Sequence, residues 1–212
     1  MPVKIKSGES ILFIGNSITD AGRRAAERPL GAGYVKKFAD LLTIREPGKK
    51  VHVINKGIGG DVVTGLRNRW QDDVLRHKPD WLSVMIGIND VWRQFDAPND
   101  PLLGVPFDEY RENLDRLITT AKPVVGKGLI LMTPYFIEPN RDEPMRAMMD
   151  RYGEAVKELA AEHGARLVDT QAAFDEALKT MHPLHFCADR VHPNPLGHYL
   201  LARAFLRVIE AV

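Results

Sequence analysis

The chain has 212 residues, with 29 lysines and arginines against 28 acidic residues, and one cysteine. That length suffices for one α/β domain with a full core, and the near-neutral balance leaves no electrostatic footprint for nucleic acid or an anionic membrane. The lone Cys187 excludes an internal disulfide and a cysteine metal cluster, and no apolar run approaches the roughly 18 residues of a membrane span.

The opening Met1-Pro2-Val3-Lys4-Ile5-Lys6 lacks the apolar core of a signal peptide, so a cytoplasmic protein is expected. Ser10-Ile11-Leu12-Phe13-Ile14-Gly15 then reads as a buried strand over 11–14, stopping at a glycine with Asn16 and Ser17 just beyond it. Val35, Phe38, Ala39, Leu41 and Leu42 share one helical face, ended by Pro47-Gly48. A second strand, Val51 to Ile54, closes on Asn55-Lys56-Gly57-Ile58-Gly59-Gly60-Asp61, followed by a helix marked by Val63, Leu66, Trp70 and Val74.

Trp81 to Ile86 is the third strand, ending on Gly87-Ile88-Asn89-Asp90, which reads as a turn before a long irregular segment from Trp92 to Pro106. A helix from Phe107 to Ala121 precedes the fourth strand, Leu129 to Met132, which stops at Thr133-Pro134. Met145, Met149, Tyr152, Val156 and Leu159 mark another helix, Arg166 to Asp169 a fifth strand, and Phe174, Ala177, Leu178 and Met181 the helix after it. Leu196 to Ile209 carries a final amphipathic helix. Five strands alternating with helices predict a three-layer αβα sandwich around a flavodoxin-like parallel sheet, and residues 1–212 read as a single domain.

Asn16 and Ser17, Asn55 to Asp61, Asn89 and Asp90, and Thr133 all fall just after strands. The carboxyl edge of such a sheet is where ligands bind, and the long segments 20–33, 91–106, 134–144 and 182–195 are expected beside it. A serine at this rim is a candidate nucleophile if a base reaches it, and otherwise a helix cap.

Of seven histidines, His52 lies in a strand and His77 and His163 near helix ends, positions that suit structural roles. His182 and His185 stay open as alternatives for the base. His192 has the best context, because Asp189, three residues earlier, can reach its imidazole within one turn and fix its tautomer. The competing reading is a surface Asp–His pair, with Pro195 opening a helix. Gly57, Gly59 and Gly60 allow close backbone approach before a helix start, which serves either an oxyanion or a phosphate; the segment matches neither common phosphate-loop pattern. Asn89 offers an amide donor from the neighbouring strand end.

Together these blocks carry a resemblance. Gly15-Asn16-Ser17, Asn55-x-Gly57-x-x-Gly60, Gly87-x-Asn89-Asp90 and Asp189-x-x-His192, in that order, resemble the blocks of the SGNH/GDSL hydrolases over nearly the whole chain. Within that family the chain most resembles bacterial intracellular acetylxylan esterases acting on xylo-oligosaccharides. Lys78-Pro79-Asp80-Trp81, Ile86 to Gln94 and Val168 to Phe174 add to that likeness.

The resemblance implies Ser17 as nucleophile, His192 as base and Asp189 as its orienting partner. It further implies an oxyanion hole from the backbone N–H groups of Ser17 and Gly60 and the amide of Asn89. No metal and no organic cofactor is implied. Asn16 stands where the family motif has aspartate, so one charge beside the nucleophile is missing, and Ala188 stands where a bulky aromatic is expected, which widens the pocket. Tyr34, Trp92, Arg93 and Tyr135 are expected to line a substrate rim suited to sugar rings.

The expected function is a serine esterase that deacetylates small carbohydrate esters, with no nucleic-acid or membrane partner and homo-oligomerisation left open. The rivals are a lipase or thioesterase of the same family and, in another class, a flavodoxin-like phosphate- or nucleotide-binding module.

Overall fold

A computed structural model describes residues 4–96, 100 and 103–210. Its centre is a five-stranded sheet, all parallel, built from β1 (Ser10–Gly15), β2 (His52–Asn55), β3 (Trp81–Met85), β4 (Gly128–Met132) and β5 (Arg166–Val168) in the spatial order β2-β1-β3-β4-β5. That is the flavodoxin-like order, with the chain reversing direction across the sheet after β2. A parallel strand covered on both faces must be apolar throughout, and in β1 Ile11, Leu12, Phe13 and Ile14 are all fully buried. Leu12 pairs with Ile54 on one side and Leu82 on the other, and Leu82 with Leu129.

Around the sheet run α1 (Ser17–Asp20), α2 (Tyr34–Arg45), α3 (Val63–Trp70), α4 (Ile88–Asp96), α5 (Phe107–Ala121), α6 (Pro144–His163), α7 (Thr170–Leu178) and α8 (Pro195–Glu210). Right-handed crossovers set α2 and α8 together on one face and α3, α5 and α6 on the other. The last helix closes onto the first strand: the Phe205 ring lies 4.9 Å from that of Phe13 and 5.1 Å from that of Phe38. No helix among the described residues is long and apolar enough to cross a membrane.

The expected element pattern differs in four places. Ser17 opens a short helix in place of a bare turn. A π-helical turn over Gln71–Leu75 extends α3, so Val74 lies beyond the α-helix proper. The segment after Gly87 is helical: Ile88, Val91, Trp92 and Phe95 share one stripe of α4, where a turn and an irregular stretch were expected. Within the remainder of that stretch, residues 97–99 and 101–102 lie outside the described residues, as do Met1 to Val3 at the start. Helix α7 stops at Leu178, before Met181.

Candidate active site

Three loops at the carboxyl edge of the sheet meet at Ser17. The first is the turn after β1. Asn16, itself buried, caps α1 through its side-chain Oδ1, which accepts the Ile18 N–H at 3.1 Å. Its side chain lies over a small space bounded by Ile18, Met85, Ile86, Ile88, Pro134 and Tyr135, with no charged neighbour among them. Ser17, the first residue of α1, stays half-exposed and directs Oγ to His192 Nε2 at 3.0 Å.

The second loop precedes α8. Asp189 Oδ1 accepts the backbone N–H groups of Val191 at 3.0 Å and His192 at 2.8 Å, and its Oδ2 lies 2.7 Å from His192 Nδ1. Burial works to raise the Asp189 carboxyl, but the bonds from the His192 ring and from the two N–H groups outweigh it and hold the group below the usual carboxylate value. An ionised Asp189 fixes the proton on Nδ1 and leaves Nε2 free to accept from Ser17. The loop is held by Asn194, whose Oδ1 accepts the Leu196 and Gly197 N–H groups, and by an Arg190–Glu138 ion pair at 2.7 Å. Trp92 of α4 stands edge-on to the His192 ring, centroids 5.9 Å apart.

The third is the glycine-rich loop after β2, which is tied to the serine turn at several points. Asn55 Nδ2 donates to Thr19 O at 2.6 Å and Leu30 O at 2.7 Å, while its Oδ1 accepts the Gly57 N–H. A Cβ on Gly57 would sit 2.2 Å from Asp20 N, so only glycine permits this approach. Ile58 N donates to Gly15 O and Gly59 N to Asp20 Oδ2. Gly60 adopts φ +80°, a left-handed conformation, just before α3. Arg69 ties the loop together, donating to Gly15 O, Lys56 O, Asp61 and Asp73. Burial raises the Asp61 carboxyl even beside Arg69.

Asn89, in the first turn of α4 and 2% exposed, joins this loop: its Nδ2 donates to Asp61 O at 2.9 Å. An amide nitrogen carries two hydrogens, so one remains.

Ser17–His192 and His192–Asp189 thus lie in direct contact, Gly60 belongs to the loop tied to the serine turn, and Asn89 of α4 is bonded to that loop. The rim expectation fails for two aromatics. Tyr34 is fully buried, its hydroxyl 3.1 Å from Thr19 Oγ1 and its ring 5.8 Å from Phe13. Tyr135 is fully buried against Phe174, with ring centroids 4.6 Å apart. Tyr34 opens α2 and Tyr135 follows β4, but both face the core, so neither can line an open groove. Trp92 and Arg93 do lie beside the site, the guanidinium 4.9 Å from the Trp92 ring and paired with Asp96.

The other histidines have separate surroundings. His52 is exposed at the start of β2, His163 pairs with Asp115, and His182 Nδ1 accepts from Leu184 N. Local sequence patterns gave no sign of Arg69 as a support for the site, because the carbonyls it serves lie 13 and 54 residues away.

With this geometry, residues 13–200 match the model of the GDSL-like lipase/acylhydrolase family. The chain belongs to the GDSL-like lipase/acylhydrolase family. It is 52% identical over 212 residues to an acetylxylan esterase of Geobacillus stearothermophilus, covering 98% of this chain and 96% of that one. The crystal structure of Axe2, an acetylxylan esterase from the same organism, superposes with a TM-score of 0.93 at 52% identity, covering 97% of this chain and 96% of Axe2. LAE5, an alpha/beta hydrolase enzyme from the metagenome of Lake Arreo, Spain, superposes with a TM-score of 0.94 at 44% identity, over 99% and 98% of the two chains. Solved structures of Axe2 include catalytic mutants in which a serine, a histidine or an aspartate is replaced by alanine. For this GDSL-like chain, membership sets aside the phosphate-binding module as a reading of the glycine turn.

Proposed function

We propose that this protein is a serine esterase that removes acetyl groups from small acetylated carbohydrates, xylo-oligosaccharides foremost. The observation that carries the reading is the unbroken chain Ser17 Oγ to His192 Nε2 at 3.0 Å and His192 Nδ1 to Asp189 Oδ2 at 2.7 Å. The catalytic aspartate and histidine mutated in Axe2 stand three residues apart, the same spacing as Asp189 and His192.

Ser17 Oγ attacks the acetyl carbonyl carbon while His192 Nε2 takes the hydroxyl proton. The N–H groups of Ser17 and Gly60 and the unspent hydrogen of Asn89 Nδ2 receive the negative charge that forms on oxygen. The tetrahedral intermediate collapses, His192 returns the proton to the departing sugar oxygen, and an acetyl group remains on Ser17. His192 then draws a proton from water, which attacks the acetyl carbonyl, and the second collapse breaks the bond to Ser17 Oγ, which takes the proton back from His192 as acetate is released. Trp92 and Arg93 offer the leaving sugar a flat, hydrogen-bonding wall beside His192. The residue before Asp189 is the small, exposed Ala188, whereas a tryptophan precedes the catalytic aspartate of Axe2. A cytoplasmic setting belongs to the same reading, in keeping with Cys187 as a free buried thiol.

The test is a series of p-nitrophenyl esters from acetate to octanoate, beside acetylated xylo-oligosaccharides. The reading expects kcat/KM to be highest for acetyl esters and acetate to be released from the oligosaccharides. A rate that climbs with chain length, at about 0.8 kcal/mol for each methylene that finds a pocket, marks a lipase or thioesterase instead.

A further inference from the structure

The residue after Asn89 is a carboxylate with no place in the chemistry above. Asp90 is fully buried in the first turn of α4. Its Oδ1 accepts the N–H of Val63, the first residue of α3, at 2.8 Å. The α3 N-cap, Val62, has no side chain able to do this, so the cap is supplied from another helix. The Asp90 backbone oxygen is occupied too, accepting from Val105 N at 3.1 Å and Gln94 Nε2 at 2.8 Å, which anchors this turn of α4 from behind. The other carboxylate oxygen, Oδ2, is buried and meets no donor.

Adjacent residues of α4 therefore grip the glycine loop at two points. Asn89 holds Asp61 O and Asp90 holds Val63 N, and Gly60, in its left-handed conformation, directly precedes that pair. We infer that Asp90 is a positioning residue: by accepting the Val63 N–H it fixes the Gly60 N–H and the Asn89 amide relative to each other, so that both meet the same oxyanion. What it supplies is one acceptor oxygen at a set place. No cation faces it among its hydrogen-bond partners, and burial pushes its carboxyl up to about 7, as fits an oxygen with nothing to bind. The inference rests on the proposed oxyanion role of Gly60 and Asn89.

That makes the acceptor, not the charge, the element to test. Asp90→Ala removes it; Asp90→Asn keeps the oxygen and fills the same space. Val63→Pro deletes the same bond from the donor side, at a first helical position where proline is tolerated and after a residue, Val62, already extended at φ −120° and ψ 171°. Steady-state kinetics on p-nitrophenyl acetate should show Asp90→Ala and Val63→Pro slower in kcat by about tenfold to a hundredfold, with KM within about twofold, since a small misplacement of donors costs that much. Asp90→Asn should stay within about threefold of wild type.

Two results overturn the inference: a folded Asp90→Ala or Val63→Pro with wild-type kcat, or a folded Asp90→Asn as slow as Asp90→Ala. If Asp90→Ala fails to fold, Val63→Pro and Asp90→Asn decide alone. Asn89→Ala, measured alongside, separates the levels. A wild-type rate there defeats the oxyanion reading itself; a slow Asn89→Ala with a fast Asp90→Ala defeats only the role given to Asp90.

Discussion

His198 of α8 accepts the backbone N–H of Tyr34, the first residue of α2, through its Nδ1 at 3.2 Å. The α2 N-cap is Gly33, which has no side chain to satisfy that N–H, so α8 caps α2 across 164 residues. Only a neutral imidazole can accept there. Burial, helped by nearby Lys37 and His192, lowers the His198 pKa from 6.5 to about 4.

The sign follows from proton counts. Between pH 6.5 and 4 the unfolded chain holds a proton on His198 that the folded chain does not, so stability falls as pH drops through that window, by up to about 1.4 kcal/mol per pH unit. The contribution is fully present above pH 6.5. Urea melts at pH 7.5 and 5.0 should show a larger loss in wild type than in His198→Asn, which keeps an acceptor without the titration. Equal losses in the two would remove His198 from the account.

Ser17→Ala should abolish ester hydrolysis and leave the fold untouched. The side chain is half-exposed at the start of α1 and, among the described residues, its hydroxyl bonds to His192 alone. Where the group acts as a unit, losing the nucleophile costs on the order of 10⁶ in kcat. Activity above about a tenth of wild type, with circular dichroism unchanged, contradicts the assignment.

The two site asparagines should part company. Asn89→Ala loses a donor to the developing charge and should fall at least about a hundredfold in kcat, roughly 2.7 kcal/mol or more, with KM little changed. Asn16→Asp keeps the oxygen that accepts from Ile18 N, so kcat should move by less than about tenfold. The new carboxyl would sit among apolar side chains without a cation, which raises its pKa above the unfolded value of about 3.9. The stability of Asn16→Asp should therefore fall, relative to wild type, as pH rises above about 4. Thermal melts at pH 5 and 8 measure this; identical differences at both pH values would mean the carboxyl is not desolvated.

Arg69→Lys tests the brace behind the glycine loop. A lysine cannot serve Gly15 O, Lys56 O, Asp61 and Asp73 together, because it lacks the guanidinium fork. A loss on the order of 2–3 kcal/mol is expected, the size of one or two charged hydrogen bonds, and kcat should drop with it. A variant as stable as wild type by urea melt would show the brace to be dispensable.

The sheet could be read from the sequence because buried parallel strands need unbroken apolar runs, and Ile11 to Ile14 or Leu129 to Met132 can be little else. Helix α4 escaped notice although Ile88, Val91, Trp92 and Phe95 fall at helical spacing. Asn89-Asp90, which usually marks a turn, here serves long-range partners from inside the first helical turn. Helix α1, four residues long, is too short to show a period. Tyr34 and Tyr135 misled because a place beside the rim segments says nothing about which way a ring faces; contacts with Phe13 and Phe174 decide that. The Asp189–His192 pair was visible as a local spacing. Asn55 was visible as a motif residue, though its partners Thr19 and Leu30 were not, and the supports Arg69 and His198 were not visible, since each acts on backbone that only the fold brings near.

Ser17 and His192 are separated by 175 residues, and the loop bearing His192 is held in place by α8, the last helix, packed on β1 and α2. Synthesis from the amino end makes Ser17 well before His192. At ordinary ribosomal speeds, about 5–20 residues per second, roughly 9–35 s pass between the two. Throughout that interval the emerging polypeptide carries a serine without a proton acceptor. Enzymatic competence in this way waits on α8, and is conferred only once that helix has been made and has docked.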